Sequence, residues 1–325
     1  MIEDVDNQVA TLKELARKVA ETPHAAAETP SVATAVGKVA KERVARRKVP
    51  YTMAVTSGKG GVGKTLVSVN LAIAFARQGL KVLVIDADLG LANIDVVLGL
   101  TPQYTIQDVL DGGMSLSEVA ITGPMGITIL PAASGVAELS TLSETQRLSL
   151  MDHIDNWNDD FDVVLVDTGA GISSTVRFFV LAVERITVVA TPDPASITDA
   201  YALMKVMFTN HRISRFDLLV NQAKSEQEAR EVYRTLYRVA DKFLNIGLKY
   251  CGYIPYATHL SQAVRKQKPV TELFPESEAT ASFDKLSTNL LEMWGENRQN
   301  DGLMTFFWRR LLEEDKDASP QSPES

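Results

Sequence analysis

The chain has 325 residues, 45% hydrophobic and 23% charged, an ordinary globular balance with room for one large α/β core plus appendages or for two small domains. Its formal net charge of -8 argues against a protein that coats DNA through an overall basic field, although a local patch stays open. A single cysteine, Cys251, excludes an intrachain disulfide framework, suits a reducing compartment and cannot build an iron–sulfur site from one chain, though a homodimer could pair it.

In chain order, residues 1–19 are charged throughout and lack the apolar stretch of a signal peptide; no apolar run reaches the length of a bilayer span. Val5, Val9, Leu12, Leu15, Ala16 and Val19 fall at helical spacing, which predicts a short amphipathic helix within residues 1–21. Residues 22–50 read as a flexible tether, with Pro23, Pro30 and a basic run of Lys38, Lys41, Arg43, Arg46, Arg47 and Lys48. From residue 51 to 295 the texture changes to one domain. Apolar runs at 52–56, 82–85, 127–130, 163–166, 186–190, 218–220 and 250–254 predict strands. Helical patterns at 64–78, 144–157, 173–183, 197–209, 226–245 and 277–294 lie mostly between or after them. Such alternation predicts an α/β fold, a mostly parallel sheet flanked by helices on both faces. Residues 302–313 form a second amphipathic segment, and 314–325 an acidic tail expected to be disordered.

The chemistry concentrates in T-S-G-K-G-G-V-G-K-T, residues 56–65. Gly58, Gly63, Lys64 and Thr65 satisfy G-x-x-x-x-G-K-[ST] between a strand and a helix, the context of a phosphate-binding loop. Backbone N–H groups from Gly58 through Gly60, Gly61, Val62 and Gly63 would wrap the phosphates, the glycines avoiding Cβ clashes. Lys64 would neutralise β- and γ-phosphate oxygens, and the Thr65 hydroxyl would take a place on Mg²⁺. Asp167 ends the apolar run 163–166, where a carboxylate holds the magnesium shell. Asp86 and Asp88 stand at i, i+2 past the run 82–85. Asp86 is placed to support the Mg²⁺ waters; Asp88 either orients or deprotonates the attacking water or caps the next turn. Past 218–220 the chain reads N-Q-A-K, not the N-K-x-D that pairs with guanine, so Asn221 suits an adenine edge and ATP is the expected nucleotide. Lys59 is a second lysine inside the glycine run, with no task in its own subunit.

K-G-G-V-G-K-T, with that extra lysine, resembles the deviant Walker A motif of the MinD/ParA ATPases, and D-A-D-L-G-L-A-N-I-D (86–95) resembles the switch I of the MinD branch. The resemblance runs over about 51–294. D-T-G-A-G-I-S (167–173), T-P-D-P-A-S-I-T-D-A-Y-A-L-M-K (191–205) and G-Y-I-P-Y (252–256) are most similar to the FlhG (FleN) regulators of flagellar number and placement; a division regulator more typically has proline in place of Gly169. The resemblance implies a slow, partner-stimulated ATPase that dimerises with ATP. Lys59 would reach the partner's phosphates with Gly60 aiding close approach, Asp88 would act in hydrolysis, and Asp199 would lie near the dimer face. The family's proline loop near adenine reads Pro255-Tyr256-Ala257 here, its aspartate replaced by Ala257, which leaves Asn221 and backbone groups as base contacts.

The same resemblance bears on the flanking segments. Gln8-Val9-Ala10-Thr11-Leu12-Lys13 is a degraded match to the D-Q-A-x-x-L-R motif that stimulates the GTPase FlhF; a helix packed on its own domain is the alternative. Other flagellar or transcriptional regulators are further candidate partners. In the segment after Gly302, Leu303, Met304, Phe307, Trp308, Leu311 and Leu312 share one side, opposite Thr305, Arg309, Arg310 and Glu313, with Phe306 an apolar intruder. That face suits membrane lipid at the headgroup boundary or a protein groove, and a dimer would present it twice. The expected location is cytoplasmic, and peripheral on the inner face of the cell membrane when ATP is bound. The rivals are a DNA-partitioning ATPase, for which the basic run 38–48 counts, and a MinD-type division-site ATPase.

Overall fold

The computed structural model describes residues 50–89, 91–132, 142–157 and 160–295. The predicted helix within 1–21, the tether before residue 50, the amphipathic segment 302–313 and the tail 314–325 lie outside the described residues. In chain order the elements are β1 (Tyr51–Ser57), α1 (Lys64–Arg77), β2 (Val82–Ala87), α2 (Ile94–Leu98), α3 (Ile106–Leu110), α4 (Leu116–Val119), β3 (Ile121–Thr122), a 3₁₀ turn (Pro124–Gly126) and β4 (Thr128–Leu130). They continue with α5 (Glu144–Asp155), β5 (Val163–Ala170), α6 (Ser174–Leu181), β6 (Arg185–Ala190), α7 (Pro194–His211), β7 (Arg215–Ala223), α8 (Glu226–Leu244), β8 (Gly247–Pro255), α9 (Thr258–Arg265), α10 (Val270–Leu273) and α11 (Glu278–Gly295).

The strands form one sheet in the order β3-β4-β2-β5-β1-β6-β7-β8. Every pairing is parallel except β3 with β4. A parallel sheet needs a crossover for each return, and those helices cover both faces, so its strands are apolar on both sides. β5 illustrates this: Val164 and Val166 enter the core beneath α5 to α8, while Val163 and Leu165 enter the core beneath α1 and α11. Both central strands, β1 and β5, end at the same edge of the molecule. The crevice past the carboxyl ends of such strands is where open α/β sheets place ligands.

α1 is buried on nearly all sides between the sheet and α11. Its one buried amide is satisfied: Asn70 Nδ2 donates to the Leu66 carbonyl (2.8 Å), and its Oδ1 accepts the Val270 N–H that opens α10 (3.1 Å). At the end of α11, the Trp294 ring stacks on Tyr51 (centroids 4.8 Å apart) and on Phe75 (5.5 Å). The last helix is thereby pinned to the first strand.

The predicted strands and long helices are present, with ends shifted by a few residues. The expectation passed over α2, α3, α4, α9, α10 and the antiparallel edge strand β3. Elements of two to eight residues carry too little periodicity to register. Two left another trace, the capping boxes Thr105/Asp108 and Ser115/Glu118 that open α3 and α4. At the far edge, β8 is sheltered by α8, whose Tyr233 hydroxyl donates to the Leu248 carbonyl (3.1 Å). Cys251 faces the core and is 2% exposed, so the disulfide or shared cluster that a homodimer might have built from it is closed off.

Trp294 joins three elements from a site 3% exposed. Trp294→Ala should destabilise the domain by about 3–5 kcal/mol, read as a lowered denaturant midpoint with unchanged slope.

Candidate nucleotide site

The loop between β1 and α1 turns on Gly61 (φ +76°) and Gly63 (φ +89°), left-handed conformations that side chains with a Cβ rarely adopt. Gly63 is the N-cap of α1 and no side chain caps that helix, so its first-turn N–H groups face the loop's concave side as an anion site. A Cβ on Gly61 would meet nothing within 4 Å, whereas one on Gly63 would stand 2.5 Å from Asn221 Nδ2. Gly58 has a further reason to be glycine beyond the one expected. A Cβ there would lie 2.1 Å from the Asp199 carbonyl oxygen, because the backbone of α7 presses directly on the loop. Val62 anchors the loop by burying its side chain in the core under α1.

Beneath the loop, Lys64 is 8% exposed, and burial pulls its pKa down against the opposing charges of Asp167 and Asp88. Asp167 is buried at the carboxyl end of β5. Burial pushes its pKa up to about 6, opposed by hydrogen bonds from the Thr65 and Ser68 hydroxyls and by the Lys64 charge. The Ser68 bond measures 2.8 Å. Ser68 had no place in the expected site, although it follows Thr65 by three residues on one helix face, a spacing that brings both hydroxyls to one carboxylate. Asp86 is the cross-strand neighbour of Asp167 in the β2–β5 register. Burial and that neighbouring charge hold its pKa well above the usual carboxylate range.

Asp86 does more structural work than a support for metal-bound waters requires. Its Oδ1 accepts the Asp88 N–H (3.1 Å), and its Oδ2 accepts those of Asn93 (3.1 Å) and Ile94 (3.2 Å), so it organises the turn that leads into α2. Asp88 sits beside Lys64, and burial raises its pKa against that lysine's charge. It also lies close to Gly169, where a Cβ would come within 3.1 Å of Asp88 Oδ1.

Lys59 is not without a partner in its own chain. Its ammonium pairs with Asp193, whose other oxygen caps α7 through the Ala195 N–H (3.0 Å). The expectation that Lys59 has no task in its subunit is therefore corrected. Both side chains are well exposed (38% and 47%), and such surface pairs exchange partners readily.

On the base side, Asn221 is buried with its Nδ2 donating to the Val62 carbonyl (2.7 Å). It ties the end of β7 to the loop. Gln222, also unforeseen, holds φ +59° at the bulge after Asn221. Pro255 pairs with Ala223 at the end of β8, and the Tyr256 N–H donates to the Ala223 carbonyl (2.9 Å). The structure thus brings Asn221 and Pro255 to adjacent strand ends.

The residues fit ATP and Mg²⁺. The loop offers backbone donors and one buried cation, while Thr65 and Asp167 offer the hard oxygen donors that magnesium takes. Among the described residues no group of three or more His, Cys, Asp or Glu is gathered that could hold a metal ion.

The ParA family profile, described as NUBPL iron-transfer P-loop NTPase, matches residues 48–291. Antiactivator FleN of Pseudomonas aeruginosa is 45% identical over 261 residues, covering 80% of this chain and 93% of that protein. Flagellum site-determining protein YlxH of Helicobacter pylori is 35% identical over 269 residues, covering 80% of this chain and 89% of that one. Among solved structures, the MinD cell division protein of Aquifex aeolicus superposes with a TM-score of 0.62 at 26% identity, covering 74% of this chain and 97% of that one.

The pKa of Asp167 makes the site's cost measurable. A carboxylate whose pKa is raised from 3.8 to about 6 penalises folding wherever it is ionised. Asp167→Asn should stabilise the protein by on the order of 1–3 kcal/mol at about pH 7. The gain should be full above about pH 6 and fade as pH falls to 3.8, because the native carboxyl takes its proton at about 6 and the unfolded one only near 3.8. Denaturant titrations on either side of that window measure it.

Proposed function

The chain belongs to the ParA/MinD family of P-loop ATPases, and on that premise we propose that it is a slow regulatory switch controlling the number or placement of flagella. It cycles between a monomer and an ATP-bound homodimer held on the cytoplasmic face of the membrane. The flagellar assignment draws on the relatives named antiactivator FleN and flagellum site-determining protein YlxH. The observation that carries the switch reading is Lys59. It stands at the mouth of the phosphate loop, paired among the described residues with the exposed Asp193, and a γ-phosphate on a second copy of the chain is the kind of anion for which it would leave.

Within one subunit, Lys64 and the loop N–H groups bind and orient the phosphates, and Thr65 and Asp167 hold the magnesium shell. Bound Mg²⁺ would offset charge developing on the β- and γ-phosphates. Asp88, freed from Lys64 once phosphates engage that lysine, orients the attacking water. Asn221 and the backbone around Pro255 face the base. Hydrolysis removes the γ-phosphate contacts made only in the dimer, and so the differential binding that holds it.

Partners are the second copy, membrane lipid through residues 302–313, and an FlhF-type GTPase through residues 1–21. No helix among the described residues is long and apolar enough to cross a membrane.

Asp88→Ala should bind ATP, lose hydrolysis by about 10²–10⁴-fold and accumulate as a dimer by light scattering. A wild-type rate would refute the role of Asp88, and a monomer in saturating ATP would refute the switch. Deleting residues 302–312 should abolish ATP-dependent sedimentation with anionic liposomes; undiminished sedimentation would remove the membrane from the scheme.

A further inference from the structure

α2 is a helix of five residues, far below the roughly 12–15 that an isolated helix needs in water. It is also the element into which the turn carrying Asp88 runs. What fixes α2 therefore fixes where that turn can be, and its two ends are held by different parts of the molecule. At its start, Asp86 accepts the Asn93 and Ile94 N–H groups, as well as that of Asp88 itself. At its end, the Val96 carbonyl accepts the Gly99 N–H at a long 3.4 Å and the Gln267 side-chain amide at 2.9 Å. The second bond spans 171 residues of sequence.

Gln267 is built for this contact. It holds a left-handed backbone (φ +52°), uncommon for a residue with a Cβ, in the turn that closes α9. Its own N–H bonds the Val264 carbonyl (3.0 Å), and the next N–H, of Lys268, bonds that of Ala263 (3.1 Å). Opposite it stands Gly99, also left-handed (φ +62°), where a Cβ would come within 3.2 Å of the Gln267 Cβ. Two backbone positions of unusual conformation thus meet where one amide reaches across. The turn is anchored behind by Val270, whose N–H bonds the buried Asn70 of α1. α9 itself begins two residues after Tyr256, in the loop on the base side of the pocket.

We propose that Gln267 is a positioning residue for ATP hydrolysis: by pinning the end of α2 it sets the place of Asp88 relative to Lys64. The pin also joins the loop beside the base, through α9, to the turn beside the reacting phosphate. The proposal rests on the reading of Asp88 as the hydrolytic group.

The test uses the full chain. Gln267→Glu keeps the shape of the side chain and removes the donor; Gln267→Lys restores a donor of similar reach. Loss of one neutral hydrogen bond corresponds to about a two- to tenfold effect, so Gln267→Glu should lower kcat by that factor. KM for ATP and the melting temperature should stay near wild type, and Gln267→Lys should recover most of the rate. A wild-type kcat in Gln267→Glu would overturn the proposal. So would a parallel change in kcat, KM and melting temperature, which marks general loosening, or a failure of Gln267→Lys to restore the rate. Asp88→Ala assayed alongside separates the two readings. If it keeps wild-type hydrolysis, the reading of Asp88 has failed. If it loses hydrolysis while Gln267→Glu does not, the pin alone has failed.

Discussion

The carboxyl edge of the sheet is organised around an electrostatic conflict. Asp86 of β2 and Asp167 of β5 are buried cross-strand neighbours, and the Lys64 charge acts on Asp167. Two carboxylates so placed repel each other and resist ionising, so each must be held by donors. Asp167 draws on the Thr65 and Ser68 hydroxyls of α1, and Asp86 on the backbone of the turn before α2. A magnesium–phosphate pair bound there would offset those charges. Titratable groups held away from their ordinary pKa at some cost in stability are a usual mark of a functional site.

The phosphate loop is held by three outside contacts, each reaching a different element. The α7 backbone closes on Gly58, Asn221 of β7 grips the Val62 carbonyl, and the Val62 side chain sinks into the core beneath α1. Lys59 extends the first of these through Asp193, the cap of α7. α7 is therefore in touch with both the start of the loop and its extra lysine. Asp193 is thus shared between Lys59 and the N-terminus of an 18-residue helix.

Much of this was legible in the linear chain, and the parts that were not share a cause. The loop, Asp167 and the alternation of strands with helices follow from local pattern, because strand–loop–helix context and a carboxylate after a run of valines need no knowledge of the rest. Contacts that depend on long-range approach were not legible. Gly58 read as a phosphate glycine, and nothing in the sequence brings the Asp199 carbonyl, far along the chain, against it. Lys59 looked unpartnered because Asp193 lies 134 residues away. Asp86 read as a support for metal-bound waters, and the N–H bonds it accepts from Asp88, Asn93 and Ile94 depend on how the following turn folds back. Gln267 carried no motif at all; its left-handed turn and its reach to Val96 exist only in the folded chain.

The stack of Trp294 on Tyr51 has a topological meaning. β1 runs seven residues from that stack to the loop, a rise of about 23 Å, so the domain begins and ends at one point on the pole away from the nucleotide. The first strand and the last helix of the described residues therefore meet at one aromatic pair. That meeting point is separated from the phosphate loop by the full length of β1.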